Sequence, residues 1–247
     1  MCEKNKRKEW FLRIMCETAY CDFSKFVTLT YSEENVPLVA TDEGLLGTLN
    51  HEDYKDFVKR LRKNLGEIKI KYYMCGEYGE TQSRPHYHVV MLFYGDISRI
   101  DLRVRIERAW RLGYVQIGTV TPRSVMYCLK YMRKMNNINT NQQIKKPYQR
   151  VSQGLGLDFL KENENLIIEN GYIAHNLKKY PVPRYFRKKS EKLDQKFKET
   201  LSSEDFASYE ESLYENYAEK QKDKSVSKTE QVKRNYEARE KIAKRKI

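Results

Sequence analysis

Two histidines separated by one residue, His86 and His88, lie in a stretch whose composition predicts a β-strand. On a strand, residues two positions apart point to the same side of the sheet. The two imidazoles can therefore share one divalent metal ion, although a short His-x-His pattern also arises by chance among surface residues. The chain has 4 histidines, and two of them stand at this one place, which favours the metal-binding interpretation.

A carboxylate that could complete the ligand set comes from the preceding segment, Cys75 to Glu80. If that segment ends a neighbouring antiparallel strand, it can bring a glutamate to the imidazole pair. Two histidines and one carboxylate with open coordination positions suit Mn²⁺ or Mg²⁺ chemistry, or Zn²⁺. We predict Glu77 as the third ligand and keep Glu80 as the second choice.

A second group of reactive residues lies on a predicted helix from Pro122 to Met135. At 100° per residue, the apolar arc of this helix holds Val125, Met126, Leu129 and Met132. The opposite arc holds Tyr127, Lys130, Tyr131 and Lys134. The two tyrosines are one turn apart and lie away from the apolar stripe. Half-buried tyrosines that brace a sheet would give the same pattern.

The chemistry of such a tyrosine pair depends on what lies near it. A tyrosine hydroxyl, with an ordinary pKa of about 10, attacks phosphorus efficiently only when a nearby cation or base favours the phenolate. Lys130 and a metal ion can provide that cation. The metal would polarise the scissile phosphate while a 3′-hydroxyl leaves. We therefore take Tyr127, Tyr131 and Lys130 as the candidate catalytic residues.

The elements that must position these residues follow from hydrophobic periodicity and from helix caps. The predicted order is strand, helix, strand, strand, helix, strand, helix, at Phe26–Tyr31, Asn50–Leu65, Ile68–Gly76, His86–Tyr94, Ser98–Arg111, Tyr114–Val120 and Pro122–Met135. Adjacent strands of a hairpin within such an alternation predict an α+β domain on a mainly antiparallel sheet.

The rest of the chain has weaker patterns. Residues Asn136 to Gly156, rich in Asn, Gln and Lys, predict a mobile connection, and Leu166 to Ile173 predicts one further strand. From Lys188 to Ile247 there is almost no Gly or Pro, and apolar residues recur at helical spacing among charges. We expect a domain over 1–187 and a charged, mostly helical C-terminal extension over 188–247.

Composition restricts the classes of partner and compartment. A net charge of +13 predicts attraction to polyanions, nucleic acid first. No apolar run approaches the length of a membrane span, and the charged start of the chain is unlike a signal peptide, so we expect a protein without a membrane partner that stays inside a cell. Five cysteines without a C-x-x-C pair predict reduced thiols; a metal site at Cys16 and Cys21 is the weaker alternative.

Three segments together resemble a known family. They are Phe26–Tyr31, then Gly76–Gly79 leading to Arg84–His88, and then Tyr127–Tyr131. Their order and spacing are similar to the three motifs of the HUH endonucleases, in particular the replication initiators of gokushovirus-like, single-stranded DNA phages of the microvirus group. A looser similarity extends through Val182–Tyr185. A triple match is far more specific than any one motif.

The resemblance implies a fold, a site and an activity. The fold is a five-stranded antiparallel sheet with flanking helices, and the metal ligands are His86, His88 and Glu77. Tyr127 falls at the nucleophile position, and Tyr131 makes the chain look like the two-tyrosine class. The implied activity is nicking of single-stranded DNA at a replication origin through a 5′-phosphotyrosine adduct, with later rejoining, in rolling-circle replication. The expected compartment is the host cytoplasm, and the expected state is a monomer.

Two other functions remain open from the sequence. The chain could be another HUH enzyme, such as a plasmid initiator, a relaxase or a transposase. It could instead be a non-catalytic protein that binds single-stranded nucleic acid and uses its 19 tyrosines as stacking platforms. The chain lacks the G-x-x-x-x-G-K-[ST] motif of a fused helicase, so unwinding is expected from a partner, a host helicase.

Overall fold

The computed structural model of the protein describes residues 3–42, 44–79, 83–98, 100–137 and 143–200, with side chains outside the description at 3, 4, 131–137 and 200. The chain divides into two compact units, Met1–Asn163 and Glu164–Ile247, which we describe separately. The predicted domain boundary between residues 187 and 188 stays a prediction. No described helix has both the length and the apolar character that crossing a membrane requires.

The first unit alternates helices and strands. Its elements are α1 (Glu3–Thr18), β1 (Phe23–Tyr31), a 3₁₀ turn (Glu33–Asn35), β2 (Leu38–Thr41), β3 (Gly44–Gly47), α2 (His51–Leu65), β4 (Lys69–Tyr78), β5 (Pro85–Tyr94), α3 (Leu102–Trp110), β6 (Gly113–Gly118), α4 (Pro122–Asn137), β7 (Tyr148–Val151) and the start of α5 (Leu157–Asn170). The seven elements predicted from the sequence are all present at bounds close to those expected. The prediction of an α+β fold is therefore confirmed.

The central sheet has five strands in the order β6-β1-β5-β4-β7, and every neighbouring pair is antiparallel. Strand β5 lies in the middle, and its residues from Tyr87 to Phe93 are at most 6% exposed. Both faces of a strand in that position are covered, so its sequence is almost continuously apolar after the histidines. A separate two-stranded hairpin joins β2 and β3.

One face of the sheet packs against α2 and α3. The apolar stripes expected on these helices are buried there, at Tyr54, Phe57, Val58, Leu61, Leu65, Leu102, Ile106 and Trp110. The odd-numbered residues of β5 point into the same core, with Tyr87, Val89, Met91 and Phe93 all buried. As predicted, Asn50 caps α2: its side chain accepts a hydrogen bond from the Glu52 amide, and Gly66 ends the helix with φ +63°.

The other face of the sheet carries α1 and α4, and α1 was not anticipated. Its buried residues, Phe11, Leu12, Ile14 and Cys16, follow a charged first half that hides the helical pattern. Glu17 is fully buried at its end, where its carboxylate accepts hydrogen bonds from Lys71 Nζ at 2.5 Å, from the Tyr94 hydroxyl and from the Gly156 amide. A buried carboxylate needs such partners, so Glu17 ties α1 to the sheet.

Two predictions in the weakly patterned region are wrong. Part of the expected mobile connection is strand β7, whose four residues pair with β4 from Tyr73 to Gly76. It is short, polar and at the sheet edge, so it has no apolar alternation to read. The expected strand Leu166–Ile173 is largely the end of α5, because Leu160 and Ile167 are buried at helical spacing and Gly171 ends the helix at φ +71°.

The second unit, within its described residues, holds the short hairpin of β8 (Tyr172–His175) and β9 (Lys178–Pro181), followed by α6 (Arg184–Arg187) and α7 (Glu191–Thr200). Phe186 and Leu193 are fully buried. The expectation of helices after residue 188 holds for α7, and the part of the predicted extension from 201 to 247 lies outside the described residues.

Candidate metal and tyrosine site

The direction of His86 and His88 is set by the residue between them. The Tyr87 hydroxyl donates a hydrogen bond to the Asn50 carbonyl at 2.7 Å and accepts one from the Asn50 amide at 3.1 Å. It also lies 2.9 Å from the Tyr31 hydroxyl in the core beneath α2. Because neighbouring side chains on a strand point to opposite faces, both imidazoles lie on the α4 side of the sheet.

Glu77 lies on β4, directly opposite His86 in the antiparallel register. One carboxylate oxygen, Glu77 Oε1, is 3.0 Å from His86 Nε2 and 2.8 Å from His88 Nε2. The carboxylate is buried, at 3% exposure. The three side chains therefore converge through their Nε2 and Oε atoms. Glu80, the second choice for the third ligand, lies outside the described residues.

The outer nitrogen of each imidazole has its own partner. His86 Nδ1 is 3.0 Å from the Arg84 carbonyl, which can only accept, so we assign the ring hydrogen to Nδ1 and the lone pair to Nε2. His88 Nδ1 is 3.0 Å from Thr28 Oγ1, a hydroxyl that can accept in the same way. Partners of this kind fix the ring orientation of histidines that bind metal through the other nitrogen.

The donor set fits a divalent cation. Glu77 Oε2, the second carboxylate oxygen, is buried without a hydrogen-bond partner, which is costly for an anionic oxygen unless a cation approaches it. The three ligand atoms lie within 4.8 Å of one another. Across the described ranges, this is the single group of three or more His, Cys, Asp or Glu side chains so arranged. A metal site is thus present in outline, with two nitrogen donors and a carboxylate.

Tyr127 lies against this cluster. Its ring centroid is 5.0 Å from that of His88, with the two planes at 82°, and the side chain is 43% exposed. Phe26 stacks on the other contact surface of His88, with centroids 5.7 Å apart. Helix α4 is fixed at its start by Thr121, whose hydroxyl accepts a hydrogen bond from the Ser124 amide at 3.1 Å. A half-exposed phenol thus lies beside the imidazole pair.

The two other candidate residues lie further along α4. Lys130 is exposed, three residues beyond Tyr127. Tyr131 is one helical turn from Tyr127, but its side chain lies outside the described part of the structure. The roles of Tyr127, Lys130 and Tyr131 stay predictions.

The segments that carry the site are held by residues of the same motifs. Gly76 lies opposite Tyr87, and a Cβ on it would lie 3.2 Å from the Tyr87 ring, so a larger residue would crowd the strand pair. The Tyr78 hydroxyl accepts a hydrogen bond from the Leu49 amide and donates one to the Lys145 carbonyl at 2.6 Å. Arg84 pairs with Glu33 at the end of β1.

Sequence reasoning missed the residues that orient the histidines, Phe26, Thr28 and the Arg84 carbonyl. Alternation along Phe26–Tyr31 places Phe26 and Thr28 on one face, and that was the available signal. The strand neighbour was not predictable in this way, because β1 reaches β5 only through the long-range pairing of Thr28 with His88.

Fold and site together define a class: an α+β domain whose antiparallel sheet carries a His-x-His and glutamate cluster beside a tyrosine-bearing helix. Residues 24–136 match the replication-associated protein ORF2 family. Replication-associated protein ORF2 of Spiroplasma virus 4 is 31% identical over 214 residues, which cover 77% of this chain and 65% of that protein. Replication-associated protein ORF4 of Chlamydia phage 1 is 29% identical over 182 residues, covering 63% and 45%.

These matches confirm the resemblance to the replication proteins of microviruses. The chain spans less than two thirds of the length of each of these relatives. A solved structure, the N-terminal nuclease domain of the minute virus of mice non-structural protein 1, has a TM-score of 0.22 and 13% identity, covering 65% of this chain and 81% of that one. A likeness that weak carries no argument.

Proposed function

We propose that the protein is a rolling-circle replication initiator of the HUH type, which nicks single-stranded DNA at an origin and later rejoins the strands. One observation carries the proposal: the phenol of Tyr127 lies against His88, within a ligand set of two imidazoles and a buried carboxylate. The similarity to replication-associated proteins of microviruses supports it.

The reaction is a transesterification at phosphorus. The Tyr127 oxygen attacks the scissile phosphate, the bond from phosphorus to the 3′-oxygen breaks, and the 3′-end leaves as a hydroxyl after taking a proton. The 5′-end stays on the protein as a phosphotyrosine, so the bond energy is kept for rejoining. When bound by His86, His88 and Glu77, a divalent ion such as Mn²⁺ or Mg²⁺ would supply Lewis-acid polarisation of the phosphate.

The chain's own residues would handle the proton and the second transfer. Lys130 is exposed on the helix of Tyr127, where an ammonium group can favour the phenolate or protonate the departing oxygen. Tyr131, one turn away, would attack the regenerated origin while Tyr127 holds the first 5′-end. A host helicase as partner, a monomeric state and the host cytoplasm as compartment complete the proposal.

Metal-dependent cleavage separates this function from non-catalytic binding. With a 3′-labelled, single-stranded origin oligonucleotide, we expect cleavage in Mn²⁺ or Mg²⁺ and none in a chelator, because the two imidazoles and Glu77 have no other electrophile to offer the phosphate. The measurement is a denaturing gel, with equal binding by anisotropy in both buffers as the control. Binding without cleavage in either metal would favour the non-catalytic alternative.

The sheet face beside the site offers a place for unpaired bases. Tyr114 lies opposite Thr30, and Thr30 lies opposite His86, so all three point to the same face. Tyr114 is 68% exposed at the edge of the sheet. A tyrosine ring in such a position can stack on a base of a strand that passes the metal site.

We expect Tyr114→Ala to weaken binding of single-stranded DNA roughly 10-fold, because one stacked base contributes about 1–3 kcal/mol. Tyr114→Phe, which keeps the ring, should bind like the wild type. Anisotropy with a labelled single strand and the matching blunt duplex checks this. An equal loss for duplex and single strand, or no loss with alanine, would refute a stacking role.

A further inference from the structure

A basic cleft lies on the opposite side of the sheet from the metal site. It is formed by α2 and the β4–β7 edge of the sheet and has a volume of about 600 Å³. Its side follows from the register: Arg150 on β7 lies opposite Met74, which points into the core beneath α2. The cleft is therefore distinct from the cluster of Glu77, His86 and His88.

The charge of the cleft is strongly positive. Its lining includes Lys55, Lys59, Arg62 and Arg150 on the cationic side and Glu52 on the anionic side. Lys55 Nζ is 2.7 Å from Glu52 Oε2, so that pair is neutral. Within the described ranges, Lys59, Arg62 and Arg150 have no carboxylate within 4.0 Å. Three uncompensated cations around one concave surface attract a multivalent anion.

Two further groups in the cleft indicate a ligand. Tyr54 lines it and is buried, and its hydroxyl has no hydrogen-bond partner among the described residues, which leaves a donor without an acceptor. His51 lies 3.4 Å from an Arg150 nitrogen, and its ring packs on Tyr148 at 3.7 Å between centroids. Burial lowers the pKa of His51, and Arg150 and Lys145 lower it further. The imidazole thus senses a positive field that an anion would relieve.

We propose that this cleft is a phosphate-binding site that holds the backbone of nucleic acid, as a second contact on the far side of the sheet from the nicking site. Arginine and lysine together suit phosphate, since guanidinium groups bind its oxygens in a fixed fork and ammonium groups add point charge. The net charge of +13 makes nucleic acid the favoured source of that phosphate over an acidic peptide. A free nucleotide has the same chemistry, and the experiment below distinguishes it.

The first arm measures DNA binding by the full chain in a chelator, where no cleavage occurs. The double variant Arg62→Gln with Arg150→Gln is expected to bind a labelled single strand about 10-fold more weakly. The slope of log affinity against log salt should fall by about 1.4, at about 0.7 per lost phosphate contact. The matched control, Lys63→Gln with Lys69→Gln, removes the same charge from exposed positions outside the cleft. Equal losses in both double variants would overturn the proposal.

The second arm follows the His51 imidazole by NMR. Saturating oligonucleotide should raise the pKa of His51 in the wild type, because an anion stabilises the imidazolium, and should not raise it in the Arg62→Gln, Arg150→Gln protein. A mononucleotide is expected to do this only at concentrations far above those of the oligonucleotide. If the mononucleotide acts at equal concentration, the cleft binds a free nucleotide and the backbone assignment is wrong.

The cleft and the nicking activity can fail independently. If the cleft variants lose binding while the wild type never cleaves DNA in Mn²⁺ or Mg²⁺, the cleft assignment stands and the proposed function falls. If the wild type cleaves and the cleft variants bind as it does, the cleft assignment falls alone. Unchanged thermal unfolding of both double variants confirms that each is folded.

Discussion

Replacing His86 and His88 together by alanine is expected to abolish nicking, by on the order of 10²-fold or more, while leaving DNA affinity within about 2-fold. Both Nε2 atoms converge on the Glu77 carboxylate, so the double variant removes the two nitrogen donors of the ligand set. Binding draws on many phosphate contacts across a basic surface, whereas the metal acts at one bond. Initial rates on a labelled single strand, beside anisotropy, separate the two effects.

The control for this variant is a histidine outside the cluster. His175 lies on β8, in the other unit of the chain, and His175→Ala should nick at the wild-type rate. A folded double variant that nicks as fast as wild type, after chelator washing and addition of metal, would contradict the assignment of His86 and His88. Weaker metal binding with unchanged saturated rate would mean that other groups complete the site.

Replacing Tyr127 by phenylalanine is expected to remove the covalent protein–DNA adduct and to slow the first nick by on the order of 10³-fold or more. The change deletes one oxygen and keeps the ring, so the contacts of Tyr127 with His88 and Phe26 are preserved. A loss of activity then reports the missing nucleophile and not a displaced helix. The adduct is counted on a denaturing gel as protein-linked label.

Tyr131→Phe and Lys130→Ala divide the remaining chemistry. Tyr131→Phe should spare the first cut and impair the later strand transfer, in which a free tyrosine attacks while Tyr127 holds the 5′-end. Lys130→Ala should slow both steps, since either phenolate loses a positioned cation or proton donor. A two-substrate assay that scores nicking and joining separately measures each step. Full joining by Tyr131→Phe would show that one tyrosine suffices.

The frame of the site was predictable because its elements have strong periodic patterns. Helix α2 repeats apolar residues at helical spacing between an Asn50 cap and Gly66, and β5 is a long apolar run. Each of these patterns records how an element is buried in the core. The same reasoning placed His86 and His88 on one face and put Glu77 on the neighbouring strand, which is where the structure has them.

What the sequence did not reveal depends on pairing between distant segments. Strand β7 has four residues, and its place at the sheet edge is decided by hydrogen bonds to β4 that no local pattern encodes. Thr28 and Phe26 contact His88 only because β1 pairs with β5. The cleft around Arg150 forms for the same reason, since β7 brings that arginine to α2. Register over long separations is a tertiary property.

Peptide mapping of the covalent adduct tests the central claim most directly. Wild-type protein is incubated with a single-stranded origin oligonucleotide and Mn²⁺, digested with protease, and the peptide that carries the nucleotide is sequenced by mass spectrometry. The account predicts a 5′-phosphotyrosine on Tyr127 that does not form in chelator. DNA found on Tyr131 alone, with Tyr127→Phe fully active, would contradict the assigned order, and cleavage without any tyrosine adduct would contradict the mechanism.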